Sequence, residues 1–215
     1  MPIGIDIFSG AGGLSLGAEM AGIQIRFAVE RDKNAADTYR CNHLNTIMLQ
    51  DDIRHVNPIE YISENESVFI VFGGPPCQGF STSNTKTRNH LNPNNILFEE
   101  FVRFVRELNP EWFLFENVEG LVNFDHGATL RTIRNRFMDL GYSVVDKILV
   151  ASDYGVPQHR NRFIMVGNRM DIDFQFPEKY HEIVTVNDAI ADLPALENGQ
   201  MSEILPYKYA EENTS

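Results

Sequence analysis

Short apolar runs alternate along the chain with longer segments in which apolar residues recur at helical spacing. The short runs predict β-strands over residues 3–8, 25–29, 68–72, 112–115, 144–150 and 162–167, of which the first and third read as buried. The longer segments predict helices over residues 14–21, 33–41, 96–108, 129–140 and 186–193. Because strands alternate with helices, we expect βαβ units, and so a mainly parallel sheet with helices on both faces.

Length and patterning together predict one α/β domain with an appendage. The chain has 215 residues, which suits one domain or one domain with an extension. The periodic pattern thins out after residue 170, and the remaining sequence is acidic. We therefore expect a globular domain over residues 1–170 and an acidic C-terminal extension over residues 171–215.

The charge balance argues against a protein that binds nucleic acid unaided. The formal net charge is −12, whereas autonomous nucleic-acid-binding domains are usually basic. Residues 86–169 carry a net charge of +1, compared with −5 for residues 1–85 and −8 for residues 170–215. Contact with a polyanion is therefore expected in the middle region, or through a component that this chain lacks.

Cysteine content and hydropathy favour a cytoplasmic protein. Cys41 and Cys77 are too few for a disulfide framework, which indicates a reducing compartment. No apolar run approaches the roughly 20 residues of a membrane span, and the first residues do not resemble a signal peptide. We expect no contact with a membrane.

The first candidate site is the glycine-rich turn Ser9-Gly10-Ala11-Gly12-Gly13, between the first predicted strand and helix. Such a turn lets a ligand approach the backbone, although it can also be purely structural. Glu30 ends the second predicted strand, where a carboxylate can accept hydrogen bonds from ribose hydroxyls. Ser15 replaces the third glycine of the dinucleotide fingerprint, which favours a nucleoside ligand other than NAD or FAD. Asp52 either completes a purine pocket or only caps a helix.

The second candidate site is the segment Gly73-Gly74-Pro75-Pro76-Cys77-Gln78-Gly79-Phe80-Ser81, which follows a predicted buried strand. Open α/β sheets build their sites at the carboxyl ends of strands. The two prolines restrict the backbone before Cys77, and its thiolate would be a strong nucleophile. The alternative is a stiff loop with an inert cysteine.

Two polar motifs adjoin later strands. Glu116 follows an apolar run, so we expect apolar surroundings that raise the pKa of its carboxyl and make it a proton donor. Gln158, Arg160 and Arg162 share one face if their segment is extended, and could then bind an oxygen-rich ligand. A solvated strand edge is the alternative for this second motif.

The order of these motifs resembles that of the cytosine-C5 DNA methyltransferase family. The shared features are F-x-G-x-G-G from Phe8, an acidic residue closing the second strand, P-P-C-Q, E-N-V and Q-x-R-x-R ending at Arg162. The resemblance implies a Rossmann-like methyltransferase fold over residues 1–170 that uses S-adenosyl-L-methionine. It also implies a bacterial cytoplasmic enzyme that acts on a base flipped out of double-stranded DNA, as in restriction–modification.

The resemblance assigns roles residue by residue. It makes Cys77 the nucleophile and Glu116 the group that binds and protonates the base, with Arg160 and Arg162 as supports. The residues it places at the cofactor are Phe8, Gly10, Ala11, Glu30, Asp52, Ile53, Gly74 and Leu97. The remaining residues expected at the DNA substrate are Pro75, Pro76, Gln78, Ser81, Ser83, Asn117 and Gln158.

Parts of the family pattern have no counterpart here. Full-length members continue with a target-recognition region and two C-terminal motifs, and neither is visible after Gly167. We therefore expect a split-enzyme subunit, a truncated product or a fragment, and a second polypeptide could supply the missing parts. An RNA cytosine methyltransferase and a non-catalytic cofactor-binding remnant stay open as alternatives.

Overall fold

A computed structural model describes residues 1–76, 97–180 and 182–194. Its strands are β1 (Ile3–Ile7), β2 (Gln24–Glu30), β3 (Ile47–Gln50), β4 (Val68–Gly73), β5 (Trp112–Val118), β6 (Ser143–Val150) and β7 (Asn161–Asn168). Its α-helices are α1 (Gly13–Met20), α2 (Lys33–Asn42), α3 (Leu97–Leu108), α4 (Gly120–Asn123), α5 (Ala128–Asp139) and α6 (Val186–Ile190). The predicted alternation of strands and helices is confirmed.

The seven strands form one mixed sheet in the order β3-β2-β1-β4-β5-β7-β6. The first five in this order are parallel, and β7 is antiparallel to both β5 and β6. The chain moves outward from β1 to β3 and then returns to place β4 on the other side of β1. Ligands of open α/β sheets bind at such a reversal of strand order.

Helices cover both faces of the sheet. Connections between parallel strands are right-handed as a rule. The strand order runs one way from β1 to β3 and the other way from β4 to β5, so α1 and α2 lie on one face of the sheet and α3 on the other. Aromatic packing joins α3 and α5 to β5: the Phe101 ring lies 5.3 Å from that of Phe115, and the Phe113 and Phe137 rings stack at 4.0 Å. The interior strand β1 is buried at all five residues, which explains why, apart from Asp6, it contains only isoleucine and glycine.

The chain divides into two compact units. The first comprises residues 1–150 and 161–178, and it contains the whole sheet. The second is formed by Ala151–Arg160 and the described residues between Lys179 and Pro194. Within the second unit, Thr185 and Asp188 form a capping box at the start of α6. The division of the chain at residue 170 stays a prediction.

Within the three described stretches, no helix is both long enough and apolar enough to cross a bilayer.

Candidate active site

A cavity of about 430 Å³ lies where the strand order reverses, at the carboxyl ends of β1, β2 and β4. This volume is in the usual range for a small-molecule site. The cavity is lined by Phe8, Val29, Glu30, Arg31, Asp32, Lys33, Asp51, Asp52, Ile53, Gly74, Pro76 and Leu97. Six of the eight residues expected at a cofactor therefore meet here.

The other two residues of that set, Gly10 and Ala11, do not line the cavity but belong to the adjoining turn. The Gly10 N–H donates to Glu30 Oε2 at 2.9 Å, whereas Ala11 is exposed. Phe8 begins the turn with φ of 59°, which is unusual for a bulky residue and marks a constrained backbone. The turn is therefore tied to the end of β2.

Glu30 is held by two backbone donors. Besides Gly10, the Asp32 N–H donates to Glu30 Oε1 at 2.7 Å. An ionised carboxylate has about four acceptor sites, so two of them remain for hydroxyl groups of a ligand. These contacts fix the carboxylate at the rim of the cavity without exhausting its capacity.

Asp52 is both a cap residue and a cavity-lining residue, and its role at a purine stays a prediction. It caps the 3-10 turn Ile53–His55, and it also lines the cavity. Arg54 donates to it through its backbone N–H at 3.1 Å and through Nε at 2.8 Å. Hydrogen bonds from the Arg54 side chain hold the pKa of Asp52 well below its usual range. Asp52 is therefore an ionised acceptor near neutral pH.

Sequence reasoning missed Arg103, on α3. Its Nη2 donates to the Ile53 carbonyl at 2.8 Å and to the Val56 carbonyl at 3.1 Å. Its Nε and Nη1 contact Glu100 and Glu107. The amphipathic pattern of α3 places this side chain on a polar face, but nothing in the pattern indicates that it supports the cavity-lining residue Ile53.

Replacing Arg103 by methionine is expected to lower the free energy of unfolding by about 1–3 kcal/mol, because two carbonyls and two carboxylates lose a donor. Urea denaturation monitored by circular dichroism measures this change. Arg106→Met is the matched control on the same helix, since its guanidinium is 61% exposed and 3.9 Å from Glu107; we expect a change below about 0.5 kcal/mol. Equal effects of the two variants would contradict the role given to Arg103.

A second cluster lies at the end of β5. Arg162 Nε is 2.7 Å from Glu116 Oε1, and Arg162 Nη1 donates to the Asn161 carbonyl at 2.8 Å. Arg162 pairs with Val118 in the antiparallel register, so the two charged side chains are diagonal neighbours across β5 and β7. The expectation of purely apolar surroundings for Glu116 is therefore wrong, because a guanidinium from the next strand contacts it.

The segment after β4 joins the cavity to this cluster. A Cβ atom on Gly74 would lie 2.5 Å from Glu116 Oε2, so only glycine fits there without displacement. Asn117 is buried, and its Nδ2 donates to the Pro75 carbonyl at 3.2 Å. Its Oδ1 accepts the Val118 N–H at 2.8 Å. The ends of β4 and β5 are thus fixed to each other just before Cys77.

Four of the expected site residues, Cys77, Gln78, Ser81 and Ser83, lie outside the described residues. Their assigned roles stay predictions.

Gln158 and Arg160 belong to the second unit, and β7 begins only at Asn161. The Gln158 N–H donates to the Val156 carbonyl at 2.7 Å across a bend. The extended segment that would align Gln158, Arg160 and Arg162 is therefore not formed, since Pro157 lies within the bend. Of these three side chains, Arg162 alone lies on a strand.

Comparison with known proteins gives one consistent family. The family model described as C-5 cytosine-specific DNA methylase matches residues 3–214. The Type II methyltransferase M1.HphI of Haemophilus parahaemolyticus is 41% identical over 215 residues, covering 98% of this chain and 58% of the relative. M.AquIA of Picosynechococcus sp., also named a Type II methyltransferase, is 35% identical over 88% of each chain.

A solved structure agrees with these sequence matches. A crystal structure described as a prophage-encoded DNA modification methyltransferase (E. coli) superposes with a TM-score of 0.78 at 32% identity. The match covers 91% of this chain and 56% of that one. The chain thus spans a little over half the length of M1.HphI and of the solved protein, but most of M.AquIA. This chain belongs to the C-5 cytosine-specific DNA methylase family.

Proposed function

We propose that this chain is the catalytic and cofactor-binding part of an enzyme that methylates C5 of cytosine in double-stranded DNA. Family membership supports the reaction class. The observation that carries the proposal is the Glu116–Arg162 ion pair beside Gly74, three residues before Cys77. This arrangement offers an acid and a cation for the base next to a candidate nucleophile.

The cavity suits S-adenosyl-L-methionine. Glu30 keeps acceptor sites for the ribose hydroxyls, and Asp52 offers a further ionised acceptor for the polar edge of the nucleoside. Phe8, Ile53 and Leu97 supply apolar surface for a purine. When bound, the cofactor supplies an electrophilic methyl group on a sulfonium.

Cytosine C5 is a poor nucleophile until another group adds to the ring. In the proposed mechanism the Cys77 thiolate adds to C6, which pushes electron density toward C5. Because its pair with Arg162 favours the carboxylate, Glu116 would have to take up a proton as the base enters. The acid at N3 would then neutralise the negative charge that develops on the ring. Once C5 carries the methyl group that the cofactor would supply, loss of the C5 proton to a base and departure of the Cys77 thiolate would restore the aromatic ring, now methylated at C5. The target must leave the helical stack first, at a cost of a few kcal/mol.

Arg162 is assigned to cytosine O2. Its Nε holds Glu116 and its Nη1 donates to a backbone carbonyl. The contacts made by the described residues use two of its five N–H groups, so one N–H of Nη1 and both of Nη2 can reach the base. A charge-assisted bond to O2 would strengthen as charge develops. Arg160 and Gln158 would contact the DNA from the second unit, and Asn117 would position the Pro75–Pro76 segment. Gln78, Ser81 and Ser83 would contact the substrate beyond Cys77.

Gly74→Ala is expected to reduce methyl transfer by at least about tenfold, because the new Cβ would meet Glu116 Oε2 at 2.5 Å and displace the carboxylate. Gly17→Ala is the matched control, since a Cβ atom there meets nothing within 4 Å. Both variants are compared by steady-state transfer of a tritiated methyl group to duplex DNA. Unchanged activity of Gly74→Ala would contradict the assigned position of Glu116.

We also propose that a second polypeptide segment supplies target recognition and the C-terminal motifs. The net charge of −12 leaves little attraction for DNA. The chain covers 58% of M1.HphI, which is consistent with a remaining part that reads sequence. M.AquIA is a relative that this chain covers over 88% of its length, so the family includes a member much shorter than M1.HphI.

The test measures tritiated methyl transfer to duplex DNA and to tRNA. The chain is assayed alone and after co-expression with the part of M1.HphI that it does not match. We expect 5-methylcytosine in DNA only when the second part is present, and none in tRNA. Methylation of tRNA would favour the RNA alternative. No transfer in any combination, despite cofactor binding, would favour a non-catalytic remnant.

A further inference from the structure

A chain of buried polar side chains runs beneath the glycine-rich turn. Asp6, on β1, is fully buried, and its Oδ2 accepts a hydrogen bond from Ser15 Oγ at 2.7 Å. Ser15 Oγ is also 2.6 Å from the Tyr39 hydroxyl. Ser15 and Tyr39 are as buried as Asp6. The three groups thus connect β1, α1 and α2 in the interior.

Asp6 also compensates for the missing cap of α1. The cap residue of this helix is Gly12, which has no side chain to accept a hydrogen bond. The Ser15 backbone N–H, in the first turn of α1, points at the Asp6 carboxyl instead. Asp6 therefore fixes the start of α1 relative to β1, and the glycine-rich turn is the segment that joins them.

The glycine-rich turn packs against Tyr39 of this network and against the neighbouring His43. A Cβ atom on Gly12, where φ is +96°, would lie 2.2 Å from His43 Nε2 and 2.9 Å from Tyr39 Cδ2. Rings of Tyr39 and His43 are 4.3 Å apart. On the opposite side of the turn, Gly10 is bonded to Glu30. The backbone between β1 and α1 is therefore held from both sides.

We infer that Asp6 is a positioning residue that works as a neutral carboxylic acid, and that its ionisation disturbs the turn and weakens cofactor binding. This inference rests on the proposed binding of S-adenosyl-L-methionine in the cavity beside Glu30.

The surroundings of Asp6 favour its neutral form. Its Oδ1 has no hydrogen-bond partner among the described residues, and burying an unpaired charged oxygen costs far more free energy than burying the carbonyl oxygen of a neutral acid. In the neutral form the proton lies on Oδ2, which then donates to Ser15 Oγ, and Ser15 in turn donates to the Tyr39 hydroxyl. Burial raises the pKa of Asp6 to about 8, Ser15 hydrogen bonds oppose the shift, and the Glu30 charge adds to it.

Among the described residues, the titratable groups around Asp6 include no fixed cation that would offset an ionised carboxylate. Glu30 on β2 is an anion, and burial raises the pKa of Tyr39, so this phenol is neutral. Beyond Tyr39, the His43 Nδ1 is 3.0 Å from Glu19 Oε2. An ionised Asp6 would attract backbone donors from the turn or admit water, and would repel Glu30. Each change moves the turn.

The ionisation of one group, the Asp6 carboxyl, sets the expected pH dependence of cofactor affinity. Affinity for the cofactor should be constant at neutral pH and decline above pH 8 by at most about tenfold per unit. Between pH 7 and pH 9 we expect a loss of about tenfold. The same proton acts on folding. Because the pKa of Asp6 rises from 3.8 to about 8 on folding, its contribution to stability falls as the pH rises between these values.

The test is calorimetric titration of the full chain with S-adenosylhomocysteine between pH 6.5 and pH 9.5. Asp6→Asn replaces the acid by a permanently neutral group of the same shape. We expect it to bind within about threefold of the wild type at pH 7 and to lack the alkaline decline. Asp37→Asn, at an exposed position on α2, is the control and should behave as the wild type.

The comparison of Asp6→Asn with the wild type separates Asp6 from any other group that ionises in the same pH range. An alkaline decline that persists in Asp6→Asn would overturn the inference, as would a loss of more than about tenfold at pH 7 in a folded variant.

Carbon-13 NMR of the aspartate carboxyls in the wild type tests the inference independently if Asp6→Asn does not fold. One carboxyl titrating near pH 8 in step with the affinity would support it, and no such titration would overturn it. Absence of wild-type binding at every pH would overturn the proposed cofactor site as well, whereas binding that is flat to pH 9.5 would overturn this inference alone.

Discussion

Cys77→Ser is expected to lose at least about a thousandfold in methyl transfer, since a serine hydroxyl at neutral pH is a far weaker nucleophile than a thiolate. Cofactor affinity should stay within about twofold, because the proposed site for S-adenosyl-L-methionine is built from other residues. Transfer of a tritiated methyl group to duplex DNA, with the complementing segment present, measures the first effect. Calorimetry with S-adenosylhomocysteine measures the second.

Cys41→Ser is the control for this variant. Cys41 is exposed on α2, so its loss should leave both methyl transfer and cofactor affinity unchanged. Residual transfer above one tenth of the wild-type rate in Cys77→Ser would remove Cys77 as the nucleophile and favour a mechanism without a covalent step.

Glu30→Ala is expected to weaken S-adenosylhomocysteine binding by about a hundredfold. The substitution removes the proposed acceptor of the ribose hydroxyls, and it also removes the acceptor of the Gly10 and Asp32 N–H groups. The affinity of Glu30→Gln should lie between those of the wild type and Glu30→Ala. Its amide oxygen can still accept one backbone N–H, but its NH₂ group cannot accept the other. Calorimetric titration at pH 7 ranks the three proteins.

Asp37→Ala is the matched control for Glu30→Ala. The Asp37 carboxylate is 46% exposed and pairs with Lys33 and Arg40 on α2, so its removal should leave affinity within about twofold. Glu30→Ala binding as tightly as the control would show that the cavity does not hold the ribose at this position, and the proposed orientation of the cofactor would be wrong.

Strand positions could be predicted because buried parallel strands are continuous apolar runs. The same reasoning located Glu30 and Gly74, since each follows such a run directly and the carboxyl ends of parallel strands meet at one edge. The antiparallel direction of β7 was not predictable in this way. The apolar runs of β6 and β7 indicate strands, and β6 proves to be an edge strand without a buried residue, but pairing direction depends on the connection between the two strands.

Residues that act across long separations in the sequence escaped prediction. Arg103 reaches the carbonyl of Ile53 only because α3 packs beside it, and the amphipathic pattern carries no information about that neighbour. The prediction of apolar surroundings for Glu116 considered only the sequence of its own strand, whereas its charged partner is Arg162 on the neighbouring strand β7. The Asp6 network likewise depends on the packing of α1 and α2 against β1.

Covalent capture of a target base tests the proposed reaction most directly. A duplex containing 5-fluorocytosine is incubated with the chain, its complementing segment and S-adenosyl-L-methionine, and the adduct is digested and mapped by mass spectrometry. We expect a stable protein–DNA adduct at Cys77 that needs the cofactor, because fluorine at C5 prevents the proton loss that releases the thiol. No adduct under conditions where cofactor and DNA both bind, or an adduct that persists in Cys77→Ser, would contradict the proposed function.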